Sequence, residues 1–488
     1  MNMRRRVKIS GWLAAAAAVC ILAAGCGVRT GGDVPGSTAP TEETTQRQTE
    51  PDKPTHPEPD AIEPFPEQER ETLAEEMDDG NRIILMTDIH YLAKSLTDEG
   101  EAFRTMVEHG DGKLVNYVWE ITDAAFSEIL LQNPNVLILS GDLTLQGERD
   151  SHLELAARLK QVEEAGVSVV VIPGNHDINN PRAAGYSGKD IYPAGNISPE
   201  EFADIYGDFG YDEAYSRDSY SLSYTYQLDD RTRLLMLDSC QYEPRNLVGG
   251  MIKTETYDWI RQQLDEADRD NMAVLPVAHH NLLDQSKVYV DDCTIEHSAQ
   301  LIDMLEERNI PLFLSGHLHV QHFMQHDDIG IYEIVTSSLA TPPCQYGVLE
   351  YRRDESFSYH TKAVDVEEWA RRSRNTDENL LGFDIYSPPT LNRIFYNQAY
   401  DAMKDSAEEE TGDLFVKLKT DEKQLMAQVY ADINAACYAG RAADIVDEAV
   451  ERPGYKMWQE YCYPQVLFEY LEYIVEDAVK DYNVLEVN

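Results

Sequence analysis

From Arg82 onward, short apolar runs alternate with longer stretches whose apolar residues fall three and four positions apart. Ile83-Ile84-Leu85-Met86, residues 136–139 and Val169-Val170-Val171-Ile172 are runs of four bounded by polar or turn residues. Runs of that length, rich in branched side chains, predict buried strands rather than helices. Further strand-like runs lie at 234–237, 273–277 and 311–314. Between the first two strands, Leu114, Val118, Ile121, Ala125 and Ile129 share one helical face, and residues 153–164 predict a helix before the third. Strands alternating with helices predict a layered α/β fold, with function expected just past the strand ends.

After Val364 the pattern changes. Leu391, Phe395, Ala399 and Ala402 fall on one helical face, as do Leu467, Leu471, Ile474 and Ala478, and strand signals become scarce. Residues 365–488 are therefore expected to form an all-helical C-terminal domain beside a catalytic domain at 81–364. At the other end, Arg4, Arg5, Arg6 and Lys8 precede an apolar stretch that closes on Leu22-Ala23-Ala24-Gly25-Cys26. A basic start, a short apolar segment and small residues before a cysteine predict an export signal at 1–25, with Cys26 lipidated as the membrane anchor. Residues 26–80 are rich in Pro, Thr, Glu, Asp and Gly and too poor in apolar side chains to offset ordering entropy, so a disordered tether is expected. The expected location is extracytoplasmic, anchored by lipid to the cell membrane.

Charge narrows the range of partners. The formal net charge of −47 repels phosphate backbones, so no nucleic-acid polymer is expected as a partner. The seven cysteines show no metal-ligand spacing, and sequence leaves open whether Cys437 and Cys462 pair.

Five short motifs carry candidate chemistry: Asp88-Ile89-His90, Gly141-Asp142, Gly174-Asn175-His176-Asp177, His279-His280 and Gly316-His317-Leu318-His319. Alone, most are weak signals, Gly174-Asn175-His176-Asp177 being the strongest. Together they hold six of the thirteen histidines, and each follows an apolar run. Carboxylate, amide oxygen and imidazole without thiolate suit divalent Mn, Fe or Zn.

In this order the motifs resemble the calcineurin-like metallophosphoesterases. More narrowly, the chain resembles bacterial exported phosphoesterases that carry a C-terminal helical domain and are related to the class III cyclic-nucleotide phosphodiesterases. The motif resemblance spans residues 82–325. It implies a layered β-sandwich flanked by helices and two divalent transition-metal ions. Asp88, His90 and His319 would hold one ion, Asn175, His279 and His317 the other, and Asp142 would bridge both. It further implies hydrolysis of a small phosphodiester, 3′,5′-cyclic nucleotides included, by a hydroxide held between the ions. His176 would protonate the leaving oxygen or stabilise the phosphoryl charge, Asp177 would orient His176 and keep it protonated, and His280 either supports a metal ligand from behind, contacts substrate or is purely structural.

Two departures sharpen this. Leu145 stands where purple acid phosphatases have a tyrosine ligand, so a tyrosinate-bound ferric site is not expected. Asp177 stands where protein phosphatases and 5′-nucleotidases of the superfamily usually have glutamate. An insertion with Tyr186, Tyr192, Tyr206, Tyr211 and Tyr215 either caps the site and stacks a base or packs its own small core. Residues 336–347 are a candidate pocket wall, and the helical domain is a candidate cover, dimer face or partner site. The alternatives are a phosphomonoesterase or nucleotidase, a diesterase acting on wall polymer or lipid, and a non-catalytic ligand-binding lipoprotein. Loss of a motif residue would have favoured the last; none is lost.

Overall fold

A computed structural model describes residues 80–405 and 418–488. The export signal, Cys26 and the tether as far as Asp79 lie outside those residues. Three strands come first: β1 (Asn81–Met86), β2 (Val136–Ser140) and β3 (Ser168–Ile172). A hairpin of β4 (Ala184–Ser187) and β5 (Asp190–Pro193) follows. Next come β6 (Ser216–Arg217), β7 (Tyr224–Gln227), β8 (Thr232–Leu237), β9 (Ala273–Ala278), β10 (Leu312–Ser315), β11 (His322–Gln325) and β12 (Tyr332–Val335). Last are β13 (Gln345–Tyr351), β14 (Phe357–Ala363) and β15 (Val484–Val487).

They form two sheets, ordered β15-β14-β13-β1-β2-β3 and β11-β12-β10-β9-β8-β7-β6. In the first, β1, β2 and β3 run parallel; in the second, β8, β9, β10 and β12 do. The period-2 alternation of strands sorts side chains between two cores. On β8, Leu234 and Met236 join the core shared by both sheets, whereas Leu235 and Leu237 face the outer core. On β10, Leu312 and Leu314 point inward and Phe313 outward. The outer core lies beneath the helices Thr254–Asp270 and Ala299–Glu306, through Ile260, Leu264, Leu301 and Leu305. The helices Val118–Gln132 and Arg149–Glu164 cover the first sheet through Ile121, Phe126, Leu155 and Leu159. With both faces covered, parallel strands read as continuous apolar runs, and that pattern made them visible in the sequence. The result is an α/β sandwich flanked by helices.

The C-terminal region is largely helical. Pro388–Asp405 packs against Thr420–Tyr438, burying Leu391, Phe395, Met426, Tyr430 and Trp458. The Trp458 indole N–H donates to Met426 O at 2.9 Å. It differs from the all-helical expectation in one respect: β15 pairs antiparallel with β14, from Phe357↔Val487 to His360↔Val484. The helical region is therefore an excursion between two paired strands of one sheet. A polar joint adds to this grip. His322 places Nδ1 at 2.7 Å from Gln285 Oε1 and Nε2 at 3.0 Å from Asp477 Oδ2, and the Tyr482 hydroxyl donates to the same Asp477 oxygen at 2.8 Å. Cys437 and Cys462 form no disulfide.

Candidate metal centre

Five strands, β1, β2 and β3 from one sheet and β9 and β10 from the other, deliver their following residues to one place. Asp88 and His90 follow β1, Asp142 follows β2, Asn175 and His176 follow β3, His279 follows β9, and His317 and His319 follow β10. The turns are held by backbone: Asp88 N donates to Gly141 O at 3.1 Å and His90 N to Asp142 O at 3.0 Å. Asp88, His90, Asp142, His317 and His319 all have positive φ, between 49° and 72°. That conformation is disfavoured for side-chain-bearing residues and is held by surrounding structure, as is common at functional sites. Gly174 lets β3 approach, because a Cβ there would sit 2.0 Å from Asp142 N. At Gly316 a Cβ would sit 2.0 Å from Thr87 Oγ1.

The donor atoms fall into two groups that share Asp142. In the first, His90 Nε2 and His319 Nε2 are 3.1 Å apart, and Asp88 Oδ1 lies 3.2 Å from His319 Nε2. Asp142 Oδ2 is 3.8 Å from His90 Nε2. In the second, His279 Nε2 lies 3.1 Å from Asn175 Oδ1, 3.2 Å from His317 Nδ1 and 3.5 Å from Asp142 Oδ1. The outward nitrogens of the second group meet carbonyls: His279 Nδ1 is 2.9 Å from Ser140 O, and His317 Nε2 is 3.0 Å from Asp292 O. Such carbonyl partners fix a ring so that its other nitrogen offers a lone pair. Asp88 Oδ1 is buried without a donor. Lone-pair atoms converging at these distances, one of them orphaned, fit two divalent metal ions.

The charges agree with this fit. Burial raises the Asp142 pKa, but His176, His279 and His90 outweigh burial and hold the carboxyl well below its usual range. Burial, with Lys113 next, pushes His90 well below the ordinary imidazole value. Burial and then His279 bring His317 down to about 4. His279 is pushed up to about 9: burial opposes this, but the Asp142 carboxylate prevails.

His176 sits beside the two groups, its Nε2 at 3.8 Å from Asp142 Oδ2 and its Nδ1 at 2.7 Å from Leu145 O. Asp177 does not orient it, contrary to expectation. The Asp177 carboxylate accepts from Gly174 N (2.8 Å), Leu143 N (3.1 Å), Thr144 N (3.0 Å) and the Thr144 hydroxyl (3.0 Å). The turn after β3 aims Asp177 at the amides of the turn after β2. Asp177 thus ties together the segments carrying Asp142 and Asn175. His280 stands behind His317, the first of the positions its sequence context allowed. It is fully buried, with Nδ1 at 2.8 Å from Ser239 Oγ and Nε2 at 2.8 Å from Val248 O, and its ring packs 4.4 Å from that of His317.

The tyrosine insertion packs its own core. Tyr206 and Tyr211 are buried against Phe202, Phe209 and Tyr224, whereas Tyr192 and Tyr215 are exposed. Residues 336–347 bear on the site through the Ser338 hydroxyl, which donates to Asp88 O at 2.8 Å. Sequence patterning missed Lys113. It is buried, paired with Asp111 at 2.5 Å, and its charge acts on His90 and His176. The turn-forming run His109-Gly110-Asp111-Gly112 was the available signal, and it lies outside the motif set.

Comparison with known proteins follows the same division of the chain. Residues 81–321 match the family model described as calcineurin-like phosphoesterase, and residues 365–481 match the one described as the C-terminal domain of cyclic nucleotide phosphodiesterase. A Synechococcus protein named "Probable cyclic nucleotide phosphodiesterase" is 27% identical over 206 residues, 41% of this chain and 64% of the relative. The match thus spans less than two thirds of that relative. Among solved structures, a dimetal phosphatase from Danio rerio is similar at 14% identity, covering 58% of this chain and 96% of the other, with a TM-score of 0.42. GAP50 of Plasmodium, described as the anchor in the inner membrane complex, is similar at 13% identity, covering 59% and 85%, with a TM-score of 0.34.

Proposed function

Since the chain belongs, through residues 81–321, to the calcineurin-like phosphoesterase family, we propose that it is a metal-dependent phosphodiesterase cleaving a small organic phosphodiester. 3′,5′-Cyclic nucleotides are the first class to test. The observation that carries this is the two donor groups meeting at Asp142, with His176 standing at their edge. The family matched by residues 365–481, and the name of the Synechococcus relative, support the cyclic-nucleotide class.

Asp88, His90 and His319 would hold one ion, and Asn175, His279 and His317 the other, with one Asp142 oxygen toward each. Bound divalent ions, Mn, Fe or Zn by donor type, supply Lewis acidity at the phosphoryl oxygens and activate water as the nucleophile. His176 has its Nδ1–H directed to Leu145 O, so its Nε2 faces the reacting group. Burial lowers the His176 pKa, with Asp142 opposing it, so a proton on Nε2 would be held loosely enough to pass to the leaving oxygen. Asp177 positions the backbone beneath these groups.

The same proposal places the enzyme outside the cytoplasm on a lipidated Cys26, supported by the basic-then-apolar start of the chain. Fatty-acid labelling that persists in Cys26→Ala would remove that anchor.

The full-length protein, reconstituted with Mn²⁺, Fe²⁺ or Zn²⁺, is assayed on bis-p-nitrophenyl phosphate and p-nitrophenyl phosphate beside Asp142→Asn and His176→Ala. Diester cleavage is expected, lost in both variants, with metal retained in His176→Ala. Cleavage of the monoester alone would favour a phosphatase. No metal-dependent turnover of either ester, with two ions bound, would defeat the catalytic proposal.

A further inference from the structure

Between the catalytic half and the helix Pro388–Asp405 lies a cavity of about 450 Å³. Its walls come from both regions. The catalytic half contributes Phe103, Arg104, Lys113 and Asn116, and the helical region contributes Tyr386, Arg393 and Ile394. The two regions touch at its rim, where the Asn116 amide donates to the Tyr386 hydroxyl at 3.2 Å.

Its charge runs against that of the molecule. In a chain of net charge −47, the lining holds three cations and the single acid Glu108. Arg393 is exposed and has no hydrogen-bond or ion-pair partner among the described residues, and Asn116 Oδ1 is buried without a donor. An unpaired guanidinium at Arg393, with Arg104 held only by the Glu99 carbonyl at 2.7 Å and Lys113 paired with Asp111, beside an apolar wall suits an organic anion: the body packs on Phe103 and Ile394, and the charge meets guanidinium.

One wall residue of the cavity bears on the metal centre. Lys113 belongs to its wall and acts electrostatically on His90 and His176. The next residue, Leu114, donates its N–H to Ala340 O at 2.7 Å, and Ala340 N donates to Asp88 O at 3.4 Å. Backbone hydrogen bonds thus link the cavity segment at Lys113 and Leu114 to the segment bearing Asp88.

Resting on the phosphodiesterase reading, we propose that this cavity takes the non-reacting arm of the substrate, an apolar or aromatic body ending in a second anionic group such as phosphate, which selects a further-phosphorylated diester over a simple 3′,5′-cyclic mononucleotide. Lys113 serves the end near the reacting phosphodiester, and Arg104 and Arg393 serve the distal anion. The helical region then contributes half of a specificity pocket.

The test uses the full-length protein with Mn²⁺ and two esters that release p-nitrophenol, thymidine 5′-(p-nitrophenyl phosphate) and its 3′-phosphorylated form. The protein should prefer the 3′-phosphorylated ester. That preference, measured as the ratio of kcat/KM values, should fall about tenfold in Arg393→Ala and in Arg104→Ala, the loss of a charged hydrogen bond, and be restored in part by Arg393→Lys. Equal kcat/KM for the two esters, or a ratio unmoved by both variants, overturns the proposal. Calorimetric binding of thymidine 3′,5′-bisphosphate separates the two claims. Arginine-dependent binding without turnover of any diester would sink the phosphodiesterase reading and leave the cavity assignment standing. Turnover with arginine-independent binding would do the reverse.

Discussion

His90 and His319 stand 229 positions apart in the chain, yet their Nε2 atoms approach to 3.1 Å. Two imidazole lone pairs at that distance repel unless a cation or a proton lies between them, and Asp88 Oδ1 beside them lacks a donor. His319→Ala should therefore bind about one ion fewer per chain by elemental analysis, and its diester turnover should fall by about two to three orders of magnitude. Chelation should abolish turnover and lower the melting temperature, because ions that bind only the folded chain stabilise it.

Asp177 accepts four donors from two turns. Asp177→Asn would set an amide nitrogen against some of them, with an expected loss of about 1–3 kcal/mol in stability by denaturant unfolding. Metal content should fall with it, because the turn carrying Asn175 loosens. A pH–rate profile shifted with metal content unchanged would instead show that Asp177 acts through His176.

His280 is committed on both nitrogens beneath His317. His280→Leu should weaken binding of one ion by about tenfold, as other losses behind a ligand do, while KM for a diester stays within about twofold at saturating metal. A large rise in KM alone would return His280 to the substrate side.

Glu148 is fully buried, with Oε1 lacking a donor, and burial pushes its pKa up to about 7 from an ordinary 4.5. A carboxyl raised on folding favours the native state while protonated. Its contribution is therefore full below pH 4.5 and is lost as pH rises through about 7. Glu148→Gln, which cannot ionise, should be relatively most unstable near pH 4.5 and gain on the parent by about 3 kcal/mol by pH 8. Melting curves across that range check it; parallel curves would show that Glu148 does not titrate there.

The candidate site was legible because each group sits within a few residues of a strand buried on both faces, and such strands announce themselves as apolar runs. Roles that depend on direction were not legible. Whether Asp177 faces an imidazole or backbone amides is decided by turn geometry, and whether His280 faces substrate depends on Ser239 and Val248, distant in sequence. Tyr206 and Tyr192 look alike in the chain, but only the first is buried. Lys113 follows no period, and β15 is four residues with alternating exposure, too brief to stand out among helices.

The helical region leaves its sheet after β14 and rejoins it at β15, so it is a handle fastened at both ends rather than a tail fastened at one. A tail can swing aside to admit large ligands; a handle can flex but keeps its span. The distance from Arg393 to the metal-binding residues thus behaves as a fixed gauge that sets how long a substrate arm can be. Cutting the handle away after residue 364 would also bare the backbone of β14 as an open sheet edge, a template for self-association.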